Sequence, residues 1–184
     1  APCWTGDRFV AVGLGNDLMP VLTAVSGDGR LLWRAGLKPD YAGLRVSAPA
    51  ATSGVVAVAV TVLSEGGCEL RLVGFDLVTG QLRFDRLVGK NPPDLRHRMT
   101  GGAPAPALCI HQGCFAVLSN SGAIARLDAE GGPLDLWTYG TAAPVSELEA
   151  MAETALRPGA LLSDGRFLVA SPADTRDLLV LGPD

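Results

Sequence analysis

A phrase recurs along this chain at a spacing of about fifty residues, and that period points to a repeat architecture with one supersecondary unit per copy. The copies are Val25 to Trp33, Phe75 to Phe84 and Leu127 to Trp137. Each joins a short apolar run to a second one through an Asp and Gly turn, and each closes on a large aromatic residue: Trp33, Phe84 or Trp137. The alignment of the phrases predicts that these three aromatics hold equivalent buried positions on the last strands of successive units.

A second phrase marks where each unit begins. Ala1-Pro2-Cys3-Trp4-Thr5-Gly6 is similar to Ala48-Pro49-Ala50-Ala51-Thr52-Ser53-Gly54, a third copy starts at Ala105-Pro106, and Arg157-Pro158-Gly159-Ala160 opens a fourth. Between these marks Val, Leu, Ala and Phe come in runs of about four to eight residues bounded by Gly, Asp, Asn, Ser and Pro, the signature of strands and turns. Four short strands fit in each unit. In the second unit they fall near residues 47–52, 55–63, 69–77 and 81–88. Leu77-Val78-Thr79-Gly80 is the tight turn joining the last two, where Gly supplies the positive φ that other residues avoid.

Four antiparallel strands in a repeat of about forty to fifty residues is the arithmetic of a β-propeller blade. The phrases resemble the pyrroloquinoline-quinone-type (PQQ-like) propeller repeat, the class that includes the barrel-assembly lipoprotein propeller. Phe75 to Phe84 matches that repeat best, with Phe84 in place of the usual Trp. The resemblance covers most of the chain outside the connections between units and implies an all-β propeller segment; it specifies a blade and says little about activity. No Trp-Asp dipeptide closes a repeat, as a WD-type propeller requires. A two-sheet sandwich accounts for the strands but not for the period.

The expected layout is one propeller segment over residues 1–184: a blade at 1–36, a second at 47–89, a third at 103–140, an inserted helix at 146–156 and a partial blade at 157–184. The last unit offers strands at 161–163, 166–171 and 177–181, followed by the turn Gly182-Pro183-Asp184. Propellers close by pairing their ends, and an open arc exposes the apolar faces of its terminal blades. The expected partner is therefore protein, either remaining blades or a second chain. A compact four-bladed ring lacking one outer strand is the alternative.

Composition fits a globular domain with a core, at 48% hydrophobic and 18% charged residues. The net charge of −4 argues against nucleic acid as a partner, because such surfaces are usually basic. No run approaches the roughly eighteen apolar residues of a membrane span; the longest, Val55 to Leu63, reads as a buried strand. The chain opens without Met and without a secretory apolar segment. Any targeting signal is expected outside it, and the compartment is not legible.

Cys109 and Cys114 bracket Ile110-His111-Gln112-Gly113, read as a four-residue hairpin loop that sets the two cysteines opposite each other on adjacent strands. Directly opposed positions suit a disulfide; two small buried thiols fit the same spacing. With His111 they make three metal-binding groups at alternating orientations and without a Cys-x-x-Cys pair, so no metal site is expected. Cys3 and Cys68 fall on different blades and carry no spacing signal.

In a blade of alternating strands, the second-to-third loops and the connections to the next blade share one face. The long segments lie there, at 15–20, 37–46, 89–102 and 140–156, and loops on a rigid scaffold gather binding residues. Lys90, Arg96, His97 and Arg98 form a basic stretch in an acidic chain. It reads either as a solvated loop stiffened by Pro92 and Pro93 or as a patch for an acidic partner or small anion. In the second case the guanidinium forks give direction and His97 gives pH sensitivity.

Ser146 and Glu149 form a capping box opening a helix to Leu156, with Leu148, Met151, Ala152, Ala155 and Leu156 at helical spacing. Pro158 and Gly159 stop it. The helix either covers the end of a sheet or docks a partner through Leu148 and Met151.

The resemblance raises an enzymatic reading, since quinoprotein dehydrogenases of this repeat class hold quinone and calcium with carboxylate and amide side chains, a catalytic Asp and often a Cys-Cys disulfide. This chain has no Cys-Cys pair, and Asp28, Asp76 and Asp128 sit in turns, where they bond the backbone. No Gly-x-Ser-x-Gly elbow, His-Glu-x-x-His helix or phosphate loop is present. The expectation is a non-catalytic interaction, scaffold or sensor module with no cofactor and no catalytic residue. A segment of a quinoprotein dehydrogenase, or of another propeller enzyme with its catalytic residues elsewhere, is the alternative.

Overall fold

A computed structural model describes residues 2–17, 19–37, 45–64, 67–91, 106–118, 123–138, 160–161, 167–170 and 178–181. Every regular element among them is a strand. The first sheet is β1 (Cys3–Trp4), β2 (Arg8–Leu14), β3 (Pro20–Ser26) and β4 (Leu31–Gly36), paired in that order. The second holds β5 (Arg45–Val46) and β6 (Ala50–Thr52), both against β7 (Val55–Ser64), and then β8 (Gly67–Asp76) and β9 (Leu82–Asn91). The third is β10 (Ala107–His111), β11 (Cys114–Leu118), β12 (Ala123–Leu127) and β13 (Pro133–Thr138). The fourth contains β14 (Ala160–Leu161), β15 (Phe167–Ala170) and β16 (Leu178–Leu181). All pairings are antiparallel between strands consecutive in the chain, apart from the shared edge of β5 and β6.

The middle sheet explains why its central strand reads as an unbroken apolar run. Val56, Val58, Val60 and Val62 of β7 enter a core shared with Val10, Leu22, Ala24 and Trp33 of the first sheet. Val55, Ala57 and Ala59, on the opposite side of the same strand, enter a second core with Phe115, Val117, Ala125 and Leu127 of the third sheet. With both faces covered, apolar and polar residues cease to alternate. Each buried Val is worth about 1.5–3 kcal/mol over an exposed one. On the side of Ala57 and Ala59, Phe84 of the same sheet and Phe115 of the third meet edge to face with centroids 6.3 Å apart.

Two hairpin types repeat. Ser53-Gly54 and Gln112-Gly113 are two-residue turns with both φ angles positive, at 48° and 78° and at 49° and 77°, matching the right-handed twist of the strands they join. The turn between third and fourth strands is held by its first residue. Asp76 Oδ1 accepts from the Val78 and Thr79 amides at 2.9 and 2.8 Å, and Asp128 Oδ1 accepts from Glu130 and Gly132. In the first sheet this position belongs to Ser26, whose hydroxyl receives the Arg30 amide at 3.1 Å; Asp28 sits two residues later and bonds the Ser26 hydroxyl.

The register corrects the expected equivalence of the three aromatics. Trp33 faces Ala24 and Phe84 faces Gly74 across a bulge in each blade. The matching position in the third blade is Asp135, opposite Arg126, while Trp137 pairs with Ile124 one step further along the same face. The offset was present in the spacing: Trp33 follows Gly29 by four residues and Phe84 follows Gly80 by four, but Trp137 follows Gly131 by six.

The first strand of the second blade is broken at residues 47–49. Ser47 is buried there, donates its amide to the Ala59 carbonyl at 2.9 Å and accepts the Ala59 amide on its hydroxyl at 3.0 Å. The sequence expected one strand over 47–52; only its second half, β6, is strand, while 47–49 form the break and β5 precedes the expected start. The inserted helix at 146–156 and the strand ends at 162–163, 166, 171 and 177 lie outside the described residues.

Candidate functional site

Of the residues singled out as an interaction surface, Lys90 is placed in β9 with its backbone opposite Glu69. Arg96, His97, Arg98, Leu148 and Met151 lie outside the described residues. No group of three or more His, Cys, Asp or Glu suited to a metal ion occurs among the described residues.

The cysteine hairpin differs from its expected register. Its turn holds only Gln112 and Gly113, so His111 is opposite Cys114 and Cys109 is opposite Ala116. Cys109 and Cys114 are thus diagonal neighbours, about 7–8 Å apart by sheet geometry, and both thiols are free. The expected direct opposition is corrected: with the turn at Gln112-Gly113, the residues five apart that face each other are Ile110 and Phe115, and direct opposition of Cys109 and Cys114 would need a four-residue loop at 110–113. Cys109 instead donates to the Ala116 carbonyl at 3.5 Å, and burial pushes its thiol up to about 12.

The chemistry that the described residues do bring together lies between blades, where one arrangement occurs twice. The aromatic on the fourth strand of one blade lies on the turn glycine of the next. A Cβ on Gly80 would sit 2.7 Å from the Trp33 ring, and a Cβ on Gly131 would sit 2.7 Å from the Phe84 ring. Both glycines have positive φ, 72° and 79°. Polar contacts lock the first of these junctions: Trp33 Nε1 and Arg8 Nη1 each donate to the Leu77 carbonyl at 3.0 Å. At the second, the Thr52 hydroxyl donates to the Gly113 carbonyl at 3.1 Å.

The second and third blades therefore each have a leading face that receives the blade before it. The register defines a row on that face: Ala51, Val56, Phe75 and Leu82 in the second blade, and Ile110, Phe115, Leu127 and Pro133 in the third. In the first blade the same row is Trp4, Phe9, Val25 and Leu31. Val56, Phe75, Phe115 and Leu127 are buried, whereas Phe9 is 44% and Trp4 51% exposed. Leu31 does not discriminate, because Leu82 at the same position is equally exposed. Trp4 and Phe9 stack on each other at 4.1 Å between centroids, a contact that hides part of each ring but leaves the face apolar.

The charged side chains resolved near these junctions are mostly paired. Arg71 bonds Asp85 at 2.7 Å and Glu69 at 2.9 Å, and the Arg83 guanidinium together with the Thr79 and Val78 amides holds Asp76 well below the usual carboxylate range. The leading face of the first blade was not named from the sequence. Its signal was present: the second phrase has Trp4 and Phe9 where later copies carry Ala51, Val56, Ile110 and Phe115.

No protein-family profile matches the chain, and no curated protein matches it. Solved structures do. The chain is similar to BamB from Moraxella catarrhalis, with 14% identity and a TM-score of 0.53 over 92% of this chain and 40% of that one. It is similar to TolB from Acinetobacter baumannii at 15% identity and a TM-score of 0.51, over 100% of this chain and 43% of that one. A europium-containing methanol dehydrogenase aligns at 14% identity with a TM-score of 0.46, over 72% of this chain and 23% of that one. The chain spans less than half the length of each of these structures. At such identities the likeness establishes the fold: an all-β propeller segment built of antiparallel blades.

Proposed function

We propose that the chain is a non-catalytic propeller module that serves as a protein-interaction, scaffold or sensor domain within a larger propeller. The observation that carries this reading is the half-exposed pair Trp4 and Phe9, with Phe9 standing where the next two blades bury Val56 and Phe115 against a neighbour. A sheet face of this kind marks a protein contact. The loop face remains the candidate surface for other partners, through Lys90, Arg96, His97, Arg98, Leu148 and Met151. Light scattering behind size exclusion on residues 1–184, with a hydrophobic dye, tests the reading. Association or dye binding is expected; a monodisperse 19.0 kDa monomer that binds no dye overturns it.

A further inference from the structure

We infer that the turn glycine of the first blade, Gly29, is the seat of an aromatic side chain from a further propeller blade that docks on the leading face formed by Trp4, Phe9 and Val25. The inference rests on the larger-propeller reading and specifies its partner: an antiparallel blade outside residues 1–184 whose fourth strand carries a Trp or Phe.

The leading face of the first blade continues the pattern of the two junctions already in place. Gly29, Gly80 and Gly131 close corresponding turns, the second one residue longer than the others: each donates its amide to the carbonyl of the turn's first residue, Ser26, Asp76 or Asp128, and stands two positions before the start of the paired fourth strand at Leu31, Leu82 and Pro133. All three have positive φ, at 86°, 72° and 79°. Two of them carry a ring from the preceding blade within 2.7 Å of where a Cβ would be, and a Cβ on Gly29 would meet nothing within 4 Å. The carbonyl that anchors the ring is also reproduced. Leu77, whose carbonyl accepts from Trp33 Nε1, donates its amide to the carbonyl of Gly54, the residue before β7; Gly27 holds the matching place, donating its amide at 3.1 Å to the carbonyl of Asp7, the residue before β2. An incoming Trp thus has Gly27 as its acceptor, whereas an incoming Phe would rely on stacking alone, as Phe84 does on Gly131.

A positive φ accounts for a glycine but not for an open ring-sized space above it, and the two requirements separate by substitution. In the protein at its natural length, Gly54→Ala measures strain alone: its φ is 78° and its Cβ would meet nothing within 4 Å, although the second blade has neighbours on both sides. Gly80→Ala measures strain plus displacement of a ring. Gly29→Ala is expected to lower Tm with Gly80→Ala, by at least twice the loss at Gly54. In parallel, p-benzoylphenylalanine at position 9 of the otherwise unaltered protein reports what covers the face without any destabilised variant. The expected crosslink is to a fourth strand beyond residues 1–184, beside a Trp or Phe. Such a crosslink with Gly29→Ala no worse than Gly54→Ala overturns the Gly29 seat and keeps the larger propeller. A crosslink only within residues 1–184, or none, overturns both.

Discussion

Trp33 Nε1 lies 3.0 Å from the Leu77 carbonyl oxygen, so the fourth strand of one blade is tied by a side-chain hydrogen bond to the last turn of the next. Arg8 Nη1 reaches the same oxygen at 3.0 Å. The carbonyl has two donors, and losing one does not leave it unsatisfied. Trp33→Phe is therefore expected to cost about 1 kcal/mol, the worth of one hydrogen bond, while Trp33→Ala empties the ring site above Gly80 and costs about 3–5 kcal/mol. Urea unfolding of the two variants checks the ratio; equal losses would show that the ring's packing contributes nothing beyond the bond.

The acid response is expected to involve Asp76. The Arg83 guanidinium first, and then the Thr79 amide, favour its ionised form, so its folded pKa lies below its unfolded value. A depressed carboxylate contributes stability above the unfolded pKa, and the contribution is lost as pH falls below about 4. Asp76→Asn keeps an acceptor for the turn amides and removes the charge. Its unfolding midpoint is expected to lie below that of the unaltered protein at pH 7, by a gap that begins to narrow as pH falls below about 4 and is smaller at pH 3. A gap unchanged between the two pH values would assign the loss to the turn instead.

Cys109 is expected to be nearly inert toward alkylation. A thiol pushed up to about 12 by burial is thiolate in only about one molecule in ten thousand at pH 8, and the thiolate is the nucleophile. Timed iodoacetamide labelling with peptide mapping should show Cys109 modified only after unfolding. Mapping without reductant should recover no Cys109–Cys114 linked peptide. Finding that peptide in the native protein would refute the register of the hairpin.

The two sides of β7 predict opposite sensitivities to size. Ala57 is fully buried opposite Gly74, toward Phe84 and the third blade, so Ala57→Leu overpacks that core at about 1–3 kcal/mol. Val58, equally buried toward the first blade, is harmed by the reverse change, and Val58→Ala is expected to leave a small void. Thermal unfolding of both variants decides; a stabilised Ala57→Leu would mean the second core has room the packing does not show.

The fold was legible because period, turn residues and strand length are local properties. Val55 to Leu63 with Leu77 to Gly80 placed β7, β8 and β9 almost where they lie. What failed was counting along a strand. Trp137 ends its phrase as Trp33 does, but matching phrases by their last aromatic ignores the turn that sets register, and the turn glycine shows the two-residue shift. The Cys109–Cys114 pairing failed for the same reason: whether a hairpin turn has two residues or four rests on φ at Gln112, a non-glycine at +49°. The candidate face was less legible still: Phe9 is the same residue type as the buried Phe115, and the mark of a different face rests on Trp4, where later copies carry Ala51 and Ile110.

The prolines that stand before β1, β6 and β10 also bear on how these sheets avoid sticking to one another. Pro2, Pro49 and Pro106 stand just before β1, β6 and β10, and the first strands of the second and third blades pack close together. Such strands are free edges, and edges crowded side by side invite zipping into one continuous sheet. Proline offers no amide to a foreign strand, and β1 and β6 are only two and three residues long. Edge-to-edge growth is thereby blunted where crowding is greatest, which leaves stacking through the broad sheet faces as the route by which blades add to blades.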